Sequence, residues 1–339
     1  MRRGSIAQLV GIGLVAGGIA AAVAVALPWL PTPASREAGR IDFIFWFVII
    51  ICIVIFAIVA AAILYSVTHF RAQPDDLSDG PPIHGHTGLE IVWTIIPTVL
   101  VTAIGIYSAI VLGRNDALGA NPFRVNVTAQ QFAWSFSYPD AKGLTSGTLR
   151  LPKGRSVELV LNAKDVIHSF WVPEFNQKQD AVPGLVTRLH ITPNRLGTFT
   201  VICTELCGLG HSLMRTRAIV MTPAAFDAWL HSQTKAVSSP NAGVAGAAVF
   251  KNNACGACHT LKAAGSSAAV GPDLDKLPAY AKQAGQPVDA FVRQSIVDPN
   301  AYIQKGYPKN LMPATFGKAL SKQELDALVQ YLVSSSKKG

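Results

Sequence analysis

Three long stretches without a charged residue occupy the first third of this chain, at residues 6–30, 43–65 and 91–112. Each reaches the roughly 20 residues that an α-helix needs to cross the hydrocarbon core of a bilayer. Helices buried in a soluble core usually keep a polar face, and these stretches have almost none. Because 50% of the 339 residues are hydrophobic and only 14% are charged, the chain is predicted to be a membrane protein with a separate polar part.

The first stretch allows two interpretations. It follows Met1-Arg2-Arg3 and ends near the triplet Ala24-Val25-Ala26, the form of a secretory signal, although its apolar region is long for one. Residues 1–35 are therefore either a cleaved signal peptide or a first transmembrane helix. The other two stretches predict a transmembrane helical hairpin over residues 40–113. In both interpretations its connection lies on the cytoplasmic side, with Arg71 as its one lysine or arginine, and everything after residue 114 lies outside.

Residues 114–234 are predicted to form an all-β domain. Short alternating segments, separated by turn-forming pairs such as Pro139-Asp140, recur along this part of the chain. Seven such segments lie at 123–129, 132–138, 147–151, 156–162, 187–192, 197–203 and 215–220. This number and spacing of short strands predicts a β-sandwich or a small barrel.

The pattern becomes helical toward the end of the chain. A linker is predicted at residues 235–242, because this segment and the residues next to it are rich in Ser, Pro, Ala and Gly. Residues 243–339 predict a small all-α domain. Its last helix is marked by a capping box from Ser321 to Glu324, followed by leucines at helical spacing.

The five cysteines comprise one isolated residue and two close pairs. Cys52 lies inside an apolar stretch, where a small packing residue is expected. Cys203 pairs with Cys207, and Cys255 with Cys258. In an exported domain each pair is either a disulfide or part of a ligand set.

The first pair belongs to VICTELCGLGHSLM, residues 201–214. A straight strand could not bring Cys203 and Cys207 around one ion, but the two glycines that follow allow a loop. His211 and Met214 complete a soft set of thiols, imidazole and thioether, which suits copper and disfavours calcium or magnesium. A second thiolate indicates more than one copper ion. His168, upstream in the same domain, supplies the second imidazole that a dinuclear copper centre needs.

The second pair forms Cys255-Gly-Ala-Cys258-His259, the C-x-x-C-H pattern of covalent c-type haem attachment. A redox-active cysteine pair or half of a zinc site would also begin this way, but no second Cys/His pair with zinc spacing follows. Met312 is the only methionine after His259. An axial methionine opposite the histidine suits an electron carrier.

These segments resemble two known families. The match of residues 40–225 is to cytochrome c oxidase subunit II, with the 201–214 segment as its CuA signature and DAVPG at 180–184 as a further shared segment. The helical domain resembles class I cytochrome c, with Phe250 before the haem motif and Tyr331 on the last helix. The resemblance implies a multidomain membrane protein: a transmembrane hairpin, an all-β cupredoxin-like sandwich and an all-α cytochrome c domain.

The resemblance also implies the roles of individual residues. Cys203 and Cys207 would bridge two copper ions, while His168 and His211 would each bind one. Met214 and the main-chain carbonyl of Glu205 would be the weak outer ligands. The implied set is His168, Cys203, Glu205, Cys207, His211 and Met214. The Glu205 side chain would help to hold magnesium at the interface with subunit I.

Two further positions follow from the same resemblance. EIVWTIIPT resembles the start of the family's second helix, where Glu90 would lie at the cytoplasmic mouth of a proton path; a carboxylate at a helix N-terminus near the interface is physically tolerable there. Phe132 stands where the family has the tryptophan that accepts electrons from a soluble cytochrome c, and Trp134 follows. Both are expected to be electron-transfer aromatics.

Charge distribution bears on the electron donor. Residues 114–236 carry 13 Lys and Arg against 8 Asp and Glu, and residues 240–339 carry 11 against 6. Both parts are therefore net positive, unlike a basic cytochrome docking on an acidic partner. We expect the tethered haem to replace a diffusible donor at CuA, helped by its high effective concentration.

The predicted function is that of subunit II of a haem-copper cytochrome c oxidase. Electrons would pass from haem c to CuA and on to subunit I, where O2 is reduced with proton pumping. Expected partners are subunit I, subunit III, and a donor such as a cytochrome bc complex or a small cytochrome c, with no nucleic acid. The expected location is the bacterial plasma membrane, multi-pass, with both centres on the outer face.

Three other functions share some of these sequence features. A CuA-containing nitric oxide reductase subunit would share both relays, and Glu90 favours the oxygen enzyme. A membrane-anchored copper chaperone also uses Cys-x-x-x-Cys with a distant histidine, but on a thioredoxin-like domain. A quinol oxidase subunit would lack the copper ligands and the haem.

Overall fold

The computed structural model describes residues 3–71, 82, 84–141, 144–237, 242–314 and 316–336. Its N-terminal part contains three helices, α1 (Arg3–Ala26), α2 (Arg36–His69) and α3 (Thr87–Asp116). All three are long and apolar enough to cross a membrane. Helix α1 ends before the apolar stretch does, because Pro28 disfavours helical geometry at the residue before it.

The three N-terminal helices pack through small residues and a few specific contacts. Gly17 of α1 lies so close to α2 that an added Cβ would come within 3.2 Å of the Ala57 methyl. The Arg40 guanidinium of α2 donates 3.0 Å hydrogen bonds to the Arg114 carbonyl and the Asn115 amide oxygen of α3. The beginning of α2 therefore lies beside the end of α3, which is the antiparallel arrangement of a hairpin.

The middle of the chain is the predicted all-β domain, in which the described residues form ten strands. They are β1 (Phe123–Gln130), β2 (Ala133–Tyr138), β3 (Leu144–Ser146), β4 (Leu149–Pro152), β5 (Val157–Ala163), β6 (His168–Val172), β7 (Gln177–Ala181), β8 (Thr187–Ile191), β9 (Gly197–Cys203) and β10 (Arg215–Met221). They form two five-stranded sheets, ordered β3-β2-β1-β5-β8 and β4-β10-β9-β6-β7. Alternate side chains of both sheets fill one core.

Three of these strands were not predicted. Strand β6 is buried at four of its five positions, so it lacks the alternation that marks a half-exposed strand. Strand β7, QKQDA, is a polar edge strand. Strand β3 has only three residues. None of the three carries the alternating pattern on which the sequence prediction depends.

The residues just before α2 are attached to the sandwich. Ala34 donates its main-chain N–H to the Glu174 carbonyl, and its own carbonyl accepts from Asn194. The buried Glu37 carboxylate accepts a 2.8 Å hydrogen bond from the Thr192 N–H. These bonds satisfy main-chain groups on both segments.

The C-terminal part is helical, as predicted. It contains α5 (Ala242–Asn252), α6 (Leu277–Gln283), α7 (Val288–Val297), α8 (Phe316–Ala319) and α9 (Lys322–Ser336), with a short hairpin of β11 (Thr260–Leu261) and β12 (Ser266–Ser267). The capping box is present, since Ser321 Oγ and Glu324 bond reciprocally. Phe250 and Tyr331 meet edge to face with ring centroids 6.0 Å apart.

The predicted linker, 235–242, is only partly described. Helix α4 (Pro223–Val237) continues into it, and α5 begins at its last residue. Residues 238–241 lie outside the described residues. The sandwich domain therefore ends in a helix that reaches beyond the expected boundary at 234.

Candidate metal centre and haem cavity

The copper-type residues meet at one end of the sandwich. Strand β9 ends at Cys203 and β10 begins after Met214, and the Cys203 N–H donates to the Met214 carbonyl across the base of the loop between them. We call residues 203–214 the ligand loop. Gly208 in this loop has a φ of +126°, a conformation that favours glycine. The chain therefore leaves the strand where the sequence predicted that it must.

Sulfur and nitrogen atoms lie close together in this loop. The Cys203 and Cys207 Sγ atoms are 3.9 Å apart. Cys207 Sγ lies 3.5 Å from His211 Nδ1 and 3.9 Å from Met214 Sδ. The Glu205 carbonyl oxygen is 3.3 Å from Cys203 Sγ, while the Glu205 residue as a whole is exposed. Both cysteines are free thiols and are buried.

His168 joins the cluster from the neighbouring strand. Strand β6 pairs antiparallel with β9, with Phe170 opposite Cys203, and this register brings His168 to the ligand loop. Its Nδ1 is 3.8 Å from Cys203 Sγ. Its Nε2 bonds to Asp165 Oδ1 at 2.9 Å. The carboxylate thus holds the outer nitrogen and leaves Nδ1 facing the thiols, the arrangement that orients metal-binding histidines.

The surroundings of the two thiols shift their pKa values in opposite directions. Burial would raise the pKa of Cys203, but hydrogen bonds with His168 and with the main chain at Glu205 and Ser169 lower it to about 6. Burial, together with the charge of the neighbouring Cys203, raises the pKa of Cys207 to about 12. Cys203 is therefore the more acidic thiol of the pair.

The haem-type residues surround a separate apolar cavity. Cys255, Cys258, His259 and Met312 all line it, together with side chains of α7 and α9. It contains about 1370 Å³ of empty space, part of it open to solvent. Burial raises the pKa of the Cys255 thiol to about 12 and also raises that of Cys258.

His259 is oriented by its main-chain partner. Its Nδ1 bonds to the Pro272 carbonyl at 2.8 Å, so Nδ1 carries the proton and Nε2 is left as the free ligand atom. Gly271 lies against the ring, where an added Cβ would come 2.6 Å from His259 Cε1. Burial lowers the pKa of His259, which favours the neutral imidazole that iron requires.

The two predicted aromatics occupy different places. Trp134 is 2% exposed, and its ring meets His168 edge to face with centroids 6.2 Å apart. Phe132 is half-buried in the turn between β1 and β2 and lines the haem cavity. Its ring also lies against the ligand loop, since a Cβ added at Gly210 would come 2.5 Å from Phe132 Cδ2. Glu90 lies in the first turn of α3, where its carboxylate accepts a 3.3 Å hydrogen bond from the His86 N–H.

The residues present suit both groups that the sequence predicted. Two thiols, two imidazoles and a thioether form a soft donor set, and copper prefers such ligands. In the haem cavity the glycine beside His259 and the fixed tautomer leave one histidine nitrogen available. The sequence did not predict three residues that support these sites: Asp165, Gly271 and Gln131. Gln131 donates a hydrogen bond to the Cys207 carbonyl. For Asp165 its position three residues before His168 was the available signal.

The chain combines apolar helices of membrane-spanning length, a β-sandwich with a buried thiol and imidazole cluster, and a helical domain with a C-x-x-C-H motif. These features define a multidomain membrane protein with metal-type ligand sets. Family profiles agree. Residues 23–111 match the transmembrane domain of cytochrome c oxidase subunit II, residues 145–222 its periplasmic domain, and residues 243–336 cytochrome c. The chain belongs to the cytochrome c oxidase subunit II family.

Individual relatives support the same assignment. Cytochrome c oxidase subunit 2 of Thermostichus vulcanus is 35% identical over 62% of this chain and 80% of its own length. That of Alkalihalophilus pseudofirmus is 32% identical over 84% of each chain. By these two relatives, this chain is a membrane-bound subunit of a haem-copper terminal oxidase, an oxidoreductase that contains further subunits. Among solved structures, the periplasmic domain of subunit II from Bradyrhizobium japonicum (CoxB) is similar at 24% identity and a TM-score of 0.34, over 35% of this chain and 98% of that one.

Proposed function

We propose that this subunit receives electrons at a haem c, passes them to a dinuclear CuA centre and delivers them to subunit I, where O2 is reduced to water with proton pumping. When bound, the two groups supply one-electron carriers. The protein holds them at fixed positions and excludes water from the copper ligands, because Cys203, Cys207, His168 and Met214 are all buried.

In this proposal the ligand loop holds the copper ions. Cys203, Cys207, His168, His211, Met214 and the Glu205 carbonyl would hold the copper ions, with the two cysteines shared between the ions and one histidine Nδ1 available for each. Asp165 fixes the His168 ring. The exposed Glu205 carboxylate is available for magnesium at the boundary with subunit I.

The helical domain holds the haem. Cys255 and Cys258 would attach the haem covalently, and His259 and Met312 would be its two protein ligands to iron. All four line one cavity. The Pro272 carbonyl keeps His259 Nε2 unprotonated, so the imidazole can bind iron without first losing a proton.

One observation carries the relay. Phe132 lines the haem cavity, and its ring also lies against Gly210 of the ligand loop, so one aromatic side chain is adjacent to both sites. Trp134 lies beside His168 within the core. Both aromatics contribute to the path, and Phe132 is the one exposed to the haem.

The remaining parts of the proposal concern the membrane. The hairpin connection lies in the cytoplasm of a bacterial cell, and the sandwich and haem domain lie on the outer face. Leu206 and Leu209 of the ligand loop are 79% and 91% exposed, and we assign this apolar patch to contact with subunit I. Glu90 lies at the mouth of a proton path, subunit III completes the complex, and a cytochrome bc complex or a small cytochrome c reduces the haem.

Cysteine variants of the whole oxidase test both centres. Cys207→Ser should abolish the dinuclear copper signal in electron paramagnetic resonance and lower bound copper, while the haem c absorption remains. Cys255→Ala with Cys258→Ala should abolish covalent haem on this subunit while copper remains. Cys52→Ser, at an exposed cysteine in α2, is the matched control and should change neither. Retention of the dinuclear signal in Cys207→Ser would overturn the copper assignment.

A further inference from the structure

Three charged side chains form a cluster on the outer face of the sheet that contains β1, β5 and β8. Arg124 Nε of β1 donates a 2.8 Å hydrogen bond to Oε2 of Glu158 on β5, and Arg188 Nε of β8 lies 3.2 Å from Oε1 of the same carboxylate. Strand register puts all three on one face, because Arg124 pairs with Glu158, and Arg188 pairs with Val160 two positions along β5. We call Arg124, Glu158 and Arg188 the arginine cluster.

The carboxylate of the arginine cluster is buried, whereas both guanidinium groups are open to solvent. Glu158 is 3% exposed, and the side chains of Arg124 and Arg188 are 57% and 56% exposed. Each arginine meets the carboxylate through Nε, and its Nη groups make no hydrogen bond to any other described residue. One buried carboxylate therefore holds two guanidinium groups together, leaves their outer N–H groups free and neutralises only one of the two positive charges.

The sequence position of the cluster relates it to the membrane surface. Helix α3 has 30 residues, a length of about 45 Å, which equals the thickness of a bilayer with its headgroup layers. Its last residue, Asp116, therefore lies in a headgroup layer. His190 Nδ1 donates a 2.7 Å hydrogen bond to the Asp116 carbonyl, and His190 is the register partner of Glu158. Arg188 lies on the same strand as His190, and Glu158 lies one strand spacing away, about 4.8 Å.

From these contacts we propose that Arg124 and Arg188 bind the phosphate of an anionic phospholipid in this headgroup layer, with Glu158 as their positioning residue. A guanidinium group matches two phosphate oxygens with two parallel N–H groups, so two neighbouring guanidinium groups suit one phosphodiester. The phosphate would also balance the positive charge that Glu158 leaves. The proposal goes beyond electron transfer and depends on neither the copper nor the haem.

The extent of the charged surface favours a lipid over an acidic protein as the ligand. The next outward positions of β1 and β5 carry no charge: Asn126, Thr128, Val160 and Asn162. A stable protein partner usually covers about 800 Å² of each surface. One headgroup needs only the two guanidinium groups, and phosphates surround the end of α3 at this depth. An anionic lipid is favoured over a zwitterionic one, because the arginines repel a second, cationic headgroup charge.

Native mass spectrometry of the intact oxidase tests this site. The solubilised complex is titrated with phosphatidylglycerol, and with phosphatidylcholine as the zwitterionic comparison. Arg124→Gln, Glu158→Gln and Arg188→Gln together remove the cluster without leaving a buried carboxylate unpaired. Binding of one phosphatidylglycerol should weaken roughly tenfold or more, since each cation near an anionic lipid contributes about fivefold.

A milder variant guards against damage to the sandwich. Arg188→Gln alone keeps the 2.8 Å ion pair between Arg124 and Glu158 and should weaken phosphatidylglycerol binding roughly fivefold. Arg217→Gln is the matched control, because it removes an exposed arginine from β10 of the other sheet. This control should bind phosphatidylglycerol as the unaltered complex does. The same spectra report the subunit composition, which should be unchanged in all variants.

Three results would overturn the lipid site. The first is unchanged phosphatidylglycerol binding in the triple variant. The second is equal binding of phosphatidylcholine and phosphatidylglycerol by the unaltered complex. The third is loss of another oxidase subunit from the Arg188→Gln complex, which would make the cluster a protein contact. The proposed electron relay would stand after any of them, because none involves the copper or haem ligands.

Discussion

Gly246 of α5 lies directly against the main-chain carbonyl of Ala327 on α9. An added Cβ would overlap that oxygen and come 2.5 Å from the Tyr331 Cβ. The two helices can therefore approach at this point only without a side chain on α5. Since Phe250 of α5 also meets Tyr331, this crossing supports one side of the haem cavity.

Gly246→Ala should destabilise the helical domain. Overpacking of a tight core contact costs about 1–3 kcal/mol in the free energy of unfolding. The temperature at which the haem absorption is lost should fall in the intact oxidase. Gly113→Ala is the control, because nothing lies within 4 Å of a Cβ added there. Equal melting of the two variants would contradict the close crossing.

Gly271→Ala should disturb the haem ligand. The added methyl would lie 2.6 Å from His259 Cε1 and 2.9 Å from Nδ1, so the ring must move away from the Pro272 carbonyl. The low-spin absorption of the haem should weaken while thioether attachment persists. Ala269→Ser, at an exposed position in the same loop, should leave the spectrum unchanged. A fully low-spin spectrum in Gly271→Ala would show that His259 has room to shift without leaving the iron.

Met214→Leu should change the copper centre but not the fold. The side chain is fully buried and 3.9 Å from Cys207 Sγ, and Leu for Met conserves volume at a cost below about 1.5 kcal/mol. Copper should still bind, with altered hyperfine splitting and reduction potential, because one weak ligand is lost. Met221→Leu, at the far end of β10, is the matched control. Identical resonance spectra for both variants would remove Met214 from the ligand set.

Asp165→Asn should weaken copper binding. Asp165 orients His168, and loss of such an outer partner typically lowers metal affinity about 10-fold to 100-fold. Competition with a copper chelator measures the change in the intact protein. Asp227→Asn, on the exposed side of α4, should compete as the unaltered protein does. Unchanged affinity in Asp165→Asn would mean that the strand register alone holds His168.

Sequence reasoning reached the parts of the site that depend on local spacing. Cys203, Cys207, His211 and Met214 lie within one loop, so their side chains could be grouped without a fold. His168 joins them only through the pairing of β6 with β9, and β6 itself was missed because a strand buried at four of its five positions has no alternation. Its inclusion came from residue chemistry and family resemblance.

The contacts between distant segments could not be predicted. Gln131 meets the Cys207 carbonyl 76 positions away. Gly147 of the sandwich lies against Ala254 of the helical domain, although the sequence predicts a linker between these two domains. Neither Gln131 nor Gly147 lies in a sequence pattern that indicates a long-range contact, since glutamine is common in turns and glycine is common between short strands. Such contacts depend on how the sheets and helices pack, which periodicity does not encode.

The shared wall of the haem cavity has a consequence for how the protein is made. Phe132 and Ala133 belong to a domain that is synthesised before the helical one, and domains generally fold in that order. The haem cavity has one wall from the sandwich, so it is complete only after the helical domain has docked on the sandwich. Under the proposed function, a haem attached at Cys255 and Cys258 would therefore enter before the two domains dock, or would require them to separate again.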